Sequence, residues 1–470
     1  MPTSHDEQTN GGGCSAGEER LVSTIPLNIF QRLVRQWDDL HPYNGAQVIQ
    51  IRSVADVTQL RRAWHEALDA LGLGCVSVNG QHYRHECMNG QAATHTVEVL
   101  DPTTPLDDFL SAAINHRFAE EDEAVPFRPF ILQSADTFWM GVVYQHWVAD
   151  SASIRQVLKE WFVRAFDPKS ASQRRVRLPH GGYWRLFGPA KAHWELAEGV
   201  LSSLRWAIRF RRVRRIEGKR FGQFDTRFTW SQLPDGLIEA LRARARALDA
   251  TVNDVFLAAI AEACDQHIPT QRTRRRQDLA LGTIVDLRPH VREDLSQVFG
   301  LFLGFTSVIC RPRHFRSWNT LLTSVSTQSA LHKQSGVPQA SFVRMMAGVA
   351  AGRIFSTERV TGFYRKRVPL SGGISNVNLN GTWASQYFPD PLLNYIRVSP
   401  TGPMMPLVFT TTTLGNRLNV GLTYRQSVVS DETAKQISQQ FCERLIRVVG
   451  ATKKELATDG AQMGTDKMQS

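Results

Sequence analysis

The sequence predicts a mixed α/β protein built as two lobes. Three observations lead there. The chain has 470 residues, 42% of them hydrophobic, more than one compact core ordinarily holds. Strand-like and helix-like segments alternate along both halves. A stretch rich in Pro and Gly, with Pro168, Pro179, Gly181, Gly182 and Pro189, separates the two sets.

Taken in order, residues 1–20 are polar, carry Gly11-Gly12-Gly13 and lack an apolar run, so they read as a disordered tail without a secretory signal. The first lobe spans 21–185. It opens on the apolar Ile25-Pro26-Leu27-Asn28-Ile29-Phe30, passes a turn at His41-Pro42-Tyr43-Asn44-Gly45, and enters a strand from Ala46 to Ile51. Val57, Leu60, Trp64, Leu68 and Leu71 recur at helical spacing over 55–72. Phe138 to Tyr144 is a continuous apolar run, suited to a strand buried on both faces. After it come Gln145-His146-Trp147-Val148-Ala149-Asp150-Ser151 and a helix whose apolar stripe is Ile154, Val157, Leu158, Trp161 and Phe162. Ser153 with Gln156 forms a capping-box pattern at its start.

A basic helical linker covers 186–223, with Trp194, Leu196, Val200, Leu204 and Ile208 at helical intervals. The second lobe spans 224–455. It holds a strand near Phe224 to Trp230, a helix over 235–248, a helix capped by Thr251 with Asp254, and a strand from Leu279 to Leu287 leading into Arg288-Pro289. Leu407–Leu414 and Arg417–Tyr424 flank Gly415-Asn416, a hairpin signal of the II′ type. A last helix runs from Asp431 to Val449, and a polar tail follows over 456–470.

Six cysteines, at 14, 75, 87, 264, 310 and 442, make no C-x-x-C pair. Their scatter fits reduced thiols in a cytoplasmic protein, and no Cys/His spacing suits a zinc ion. No apolar run reaches the roughly 20 residues of a membrane span. The net charge is +11, concentrated in Arg205, Arg209, Arg211, Arg212, Arg214, Arg215, Lys219 and Arg220, with a second run at Arg272, Arg274, Arg275 and Arg276. A solvated linker explains this, and so does docking of a phosphorylated cofactor, an acidic carrier protein or a membrane surface. Nucleic acid is the weakest reading, because no nucleic-acid module accompanies the charge.

The chemistry centres on His146 and Asp150. An isolated His-x-x-x-Asp is common by chance, and a structural histidine is its ordinary explanation. Here the histidine follows a buried strand and the aspartate precedes a helix, so both are held. Imidazole, with an unperturbed pKa of about 6.5, suits proton abstraction near neutral pH.

The segment Gln145-His146-Trp147-Val148-Ala149-Asp150-Ser151 resembles the H-H-x-x-x-D-G hallmark of the CoA-dependent acyltransferase superfamily, whose members include peptide-synthetase condensation domains, wax ester synthases and polyketide-associated acyltransferases. The second His and the Asp match; Gln145 and Ser151 replace the first His and the Gly. Similar order extends to Pro126-Phe127-Arg128-Pro129, Ala250 to Val255, Asp286-Leu287-Arg288-Pro289, Gly300-Leu301-Phe302-Leu303-Gly304 and Ser375-Asn376-Val377. The D-F-G-W-G motif of the plant-type branch is absent.

The resemblance implies two chloramphenicol-acetyltransferase-like lobes in a V, with an active-site tunnel between them. It implies His146 as general base, Asp150 as an orienting group and Arg288 as its partner. Asn376, with Ser375, is a candidate for the oxyanion or the tunnel wall. The implied donor is acyl-CoA or a phosphopantetheinyl thioester on an acyl carrier protein, with no permanently bound cofactor. The expected reaction forms an ester on a hydroxyl. An amide-forming condensation and a non-catalytic carrier-binding module are the alternatives.

Overall fold

The computed structural model describes residues 22–87, 96–118, 125–178, 192–216, 225–271, 273–291, 293–334, 341–383 and 385–450. Both tails, Lys219, Arg220 and Arg272 lie outside them. The first sheet has the order β14-β2-β7-β6-β5, formed by β2 (Asn44–Ile51), β5 (Glu98–Leu100), β6 (Phe127–Gln133), β7 (Phe138–Gln145) and β14 (Leu392–Val398). The second has the order β12-β11-β13-β15-β16-β9, formed by β9 (Thr226–Gln232), β11 (Leu279–Asp286), β12 (Leu303–Cys310), β13 (Gly372–Asn378), β15 (Leu407–Leu414) and β16 (Arg417–Arg425). Pairing is antiparallel except at β5–β6, β11–β13 and β13–β15. A small sheet of β1 (Val22–Pro26), β3 (Gly74–Asn79) and β4 (His82–Cys87) accompanies the first.

β7 is the central strand that carries the site. Seven of its eight residues are buried, as a strand covered on both faces requires. Gly141 is needed in it, because a Cβ there would stand 2.7 Å from Phe130 and 2.9 Å from the Gln47 carbonyl. Two helices cover one side, α2 (Val57–Leu71) and α4 (Ser151–Phe166). Trp64 and Trp161 meet between them edge to face, with centroids 4.9 Å apart, and the Trp161 indole donates to the Leu60 carbonyl at 2.8 Å. In the second lobe the helix Val252–His267 is buried on nearly every side, which suits its run of Val, Phe, Leu, Ala and Ile. Its Glu262 meets Arg444 of the helix Asp431–Gly450 through contacts of 2.6 and 2.7 Å.

Leu392–Val398 falls within the span read as the second lobe, yet it pairs with β2 in the first sheet, Arg397 opposite Gln47. The two halves therefore exchange a strand. One hydrophobic cluster accordingly takes Trp64, Trp147 and Trp161 from the first half and Phe299, Phe302 and Val408 from the second.

Within this cluster His85 of β4 is fully buried, both ring nitrogens lack a hydrogen-bond partner among the described residues, and the ring stands edge-on to Phe299. Burial pushes its pKa down to about 4. The unfolded chain binds this proton first as the pH falls, so the stability linked to the neutral ring is full above about pH 6.5 and is lost toward pH 4. His85→Leu is expected to remove about 3 kcal/mol of acid sensitivity across that window in urea titrations. His41 and His332, also pushed to about 4 by burial, remain in both proteins. Identical pH slopes in the two proteins would contradict the assignment.

Candidate active site

β7 ends at Gln145, and the chain turns through 146–148 before α4 begins. The turn is tied down at both ends. The His146 amide donates to the Tyr43 carbonyl at 3.2 Å, and the Asp150 amide donates to the Gly300 carbonyl at 3.0 Å. Trp147 packs into the core, 2% exposed, with its carbonyl held by Gln31 at 3.2 Å. His146 is left half-buried between two phenol rings, Tyr43 and Tyr144, each 5.6 Å away by centroid. Its Nδ1 is buried with no partner of good hydrogen-bond geometry. Desolvation lowers its pKa, opposed in part by its own backbone carbonyl and by Asp150. The imidazole is therefore neutral at pH 7.

Asp150 points the other way. It is fully buried and caps α4, its Oδ1 accepting from the amides of Ala152 and Ser153 at 3.0 and 3.1 Å. Arg288, in the turn after β11, donates to Oδ2 at 2.7 Å and to Oδ1 at 3.0 Å, a bidentate pair. The Phe302 amide adds a third direction at 2.9 Å. Burial alone would raise the carboxyl pKa; Arg288 and these amides more than reverse that and hold it below the usual carboxylate range. The guanidinium also lies over the Phe302 ring at 4.8 Å.

Ser153 is the second strand of this knot rather than the cap. Its hydroxyl donates to the Gly300 carbonyl at 2.9 Å and accepts from the Gly300 amide and from Arg288, both at 3.0 Å. Gln156 reaches Ser296 instead of folding back on the helix start. The capping role expected of Ser153 and Gln156 thus belongs to Asp150, because tertiary partners claim both side chains. Ser151, standing where the resembled motif has Gly, is the first residue of α4, and its φ lies outside the left-handed region, so a side chain there costs no backbone strain.

Asn376 lies on β13 and is exposed; its Oδ1 accepts from Thr411 at 2.9 Å, and no described contact joins it to His146 or Asp150. Its neighbour Ser375 is drawn into a different network. Arg397 of β14 donates from Nε to Thr412 at 3.0 Å and from Nη1 to the Ser375 hydroxyl at 3.1 Å, and it holds the Ser375 and Thr411 carbonyls with Nη2. Sequence reading passed over Arg397. The signal was present: one arginine inside the apolar strand Leu392–Val398 must find buried partners.

Asp150→Asn is expected to lower both activity and melting temperature, leaving Arg288 buried without its charge, at a cost of about 3–5 kcal/mol. Arg288→Ala should give a similar double loss, and the two together should cost less than their sum. Strict additivity in thermal denaturation would show that the pair is not coupled.

No family model and no curated protein matches the chain. Solved structures do. The condensation domain from the monacolin K polyketide synthase MokA superposes with a TM-score of 0.61 at 12% identity, over 91% of this chain and 98% of that one. The first condensation domain of the CDA synthetase gives 0.62 at 15%, over 93% and 99%. The EpoB cyclization-docking bidomain from Sorangium cellulosum gives 0.65 at 14%, over 92% and 86%. At these identities the likeness is one of fold. The chain has the two-lobed fold of these condensation domains.

Proposed function

We propose that this chain, starting from a condensation-domain fold, transfers an acyl group from a thioester to a hydroxyl acceptor and forms an ester. The donor is acyl-CoA or an acyl chain on the phosphopantetheinyl arm of a carrier protein. The observation that carries the reading is the division of labour in the loop after β7. Asp150 is consumed by Arg288 and the Phe302 amide, while His146 is held neutral beside it.

A proton kept on Nδ1 leaves the Nε2 lone pair for the acceptor. His146 takes the hydroxyl proton as the oxygen attacks the thioester carbonyl. The tetrahedral intermediate then expels the thiolate, which recovers the proton from the imidazolium. Both substrates react in one ternary complex, so positioning supplies much of the rate and no acyl-enzyme forms. Asn376 is a candidate wall residue of the expected tunnel or a candidate oxyanion donor.

An amine acceptor is the second reading, favoured by the similarity to the CDA synthetase condensation domain. The third is a carrier-binding module without turnover. Thiol release from a panel of acyl-CoAs and acyl-pantetheines, with alcohols or amines added, separates all three. His146→Ala should cut turnover by roughly 10²–10⁴-fold with the melting temperature unchanged. Because desolvation lowers the His146 pKa, the acid limb of kcat/KM should fall below pH 6.5. Full activity in His146→Ala would remove the base.

The end of the helix Ala192–Phe210 and the basic turn after it fit a docking role. Arg205, Arg209, Arg211 and Arg212 are exposed, beside Val200, Leu204 and Ile208, which are 53–57% exposed. Arg214 is not part of this surface, because it is 2% exposed and paired with Asp265. An acidic carrier protein is the partner we favour; an anionic membrane surface is the alternative. No helix among the described residues is long and apolar enough to cross a membrane. Changing the four exposed arginines to Gln should raise the donor KM several-fold and flatten its salt dependence. Unchanged donor kinetics would leave a solvated linker.

A further inference from the structure

Arg397 is 2% exposed, yet no carboxylate of the described residues lies within ion-pair reach of it. Three other buried arginines each face a carboxylate: Arg288 faces Asp150, Arg444 faces Glu262 and Arg214 faces Asp265. Arg397 has only hydroxyls and carbonyls as acceptors, so its charge is solvated but not neutralised. Burial pushes its pKa down to about 9, and nearby Arg155 adds to that fall.

Three donors converge on the Ser151 hydroxyl. They are the Gln47 amide at 3.0 Å, Arg155 at 3.3 Å and Arg397 at 3.4 Å. Gln47 cannot turn away, because its other end accepts from the Tyr395 hydroxyl. Ser151 is also the first residue of the 16-residue helix α4, whose N-terminus favours negative charge. Two guanidiniums and an amide thus face a small neutral oxygen, beside a helix end that Asp150 caps. Ser151 and Arg155 are half-buried, so the cluster is open on one side. It also borders the base. Tyr144 bonds Gln47, feels the charges of Arg397, Arg155 and Asp150, and stands 5.6 Å from His146 by ring centroid.

We propose that Ser151, Arg155 and Arg397 form a subsite for a carboxylate on the acceptor, so that the substrate is a hydroxy or amino acid presenting its nucleophile to His146. The proposal rests on the acyl-transfer reading for the identity of the bound molecule but not for the binding itself. The carboxylate accepts from Arg155 and Ser151 at the open side and neutralises Arg397 behind them.

Titration calorimetry without any donor tests this with two probe pairs: 3-hydroxybutyrate against its methyl ester, and β-alanine against its amide. The acid of at least one pair should bind saturably and at least tenfold more tightly than its partner lacking the carboxylate. Arg155→Gln should remove that preference. Arg397→Lys, which keeps the charge should Arg397→Gln fail to fold, should retain part of it. Equal binding of the acids and their carboxylate-free partners, no binding by any probe, or an acid preference unchanged in Arg155→Gln would overturn the subsite and leave Arg397 as a staple between sheets. Acid-selective binding without thiol release from any acyl thioester would instead sink the transferase reading and keep the subsite.

Discussion

One buried carboxylate ties the two halves of this molecule together beside His146. Asp150 gathers the start of α4, the turn at Arg288 and the backbone at Phe302, segments that lie up to 152 residues apart in sequence. A lone buried carboxylate would be costly, so the arrangement exists only if every partner is present. Its consequence for function is negative and positive at once. Asp150 is excluded as a base, and the four residues between it and β7 are stretched over a fixed span that holds His146. The imidazole is aimed by backbone anchors and by two flanking phenols, and desolvation keeps it neutral.

The second constraint is the exchanged strand. β14 leaves the second half to complete the first sheet, and Arg397 reaches back from it to Ser375, Thr411 and Thr412. The two halves are therefore joined beside the site by a polar seam rather than by apolar packing alone. A polar seam near reacting groups needs satisfied donors, and the buried threonines of β15 supply acceptors. Those threonines read in sequence as simple strand formers; in the fold they also ligate an arginine.

Much of this was legible in the sequence because local and tertiary signals agreed. The apolar run ending at Gln145 marked β7, Thr251 with Asp254 capped its helix, and Gly415 turned the hairpin with a φ of +57°. Pairing of Arg288 with Asp150 came from the family resemblance, since spacing alone could not join residues 138 apart. Three things were hidden. Leu392–Val398 shows that it is a strand but not which sheet it joins. Both Asp150 and Ser153 are good caps, and only the Gly300 backbone decides between them. Residues 318–367 form three helices whose Ser, Thr, Gln and Gly content blurs their apolar faces. Ser151 replaces the Gly of the resembled motif with an ordinary backbone, and its hydroxyl accepts from Gln47, Arg155 and Arg397.

The account stands on direct transfer promoted by His146 within a ternary complex. Rapid-quench single turnover, with labelled acyl donor bound to excess protein and the acceptor added last, measures that most directly. Thiol release and acyl product should appear together, with one rate constant, only after the acceptor arrives, and both should slow alike in His146→Ala. A burst of thiol before the acceptor is added, with the acyl group retained on the protein, would contradict it.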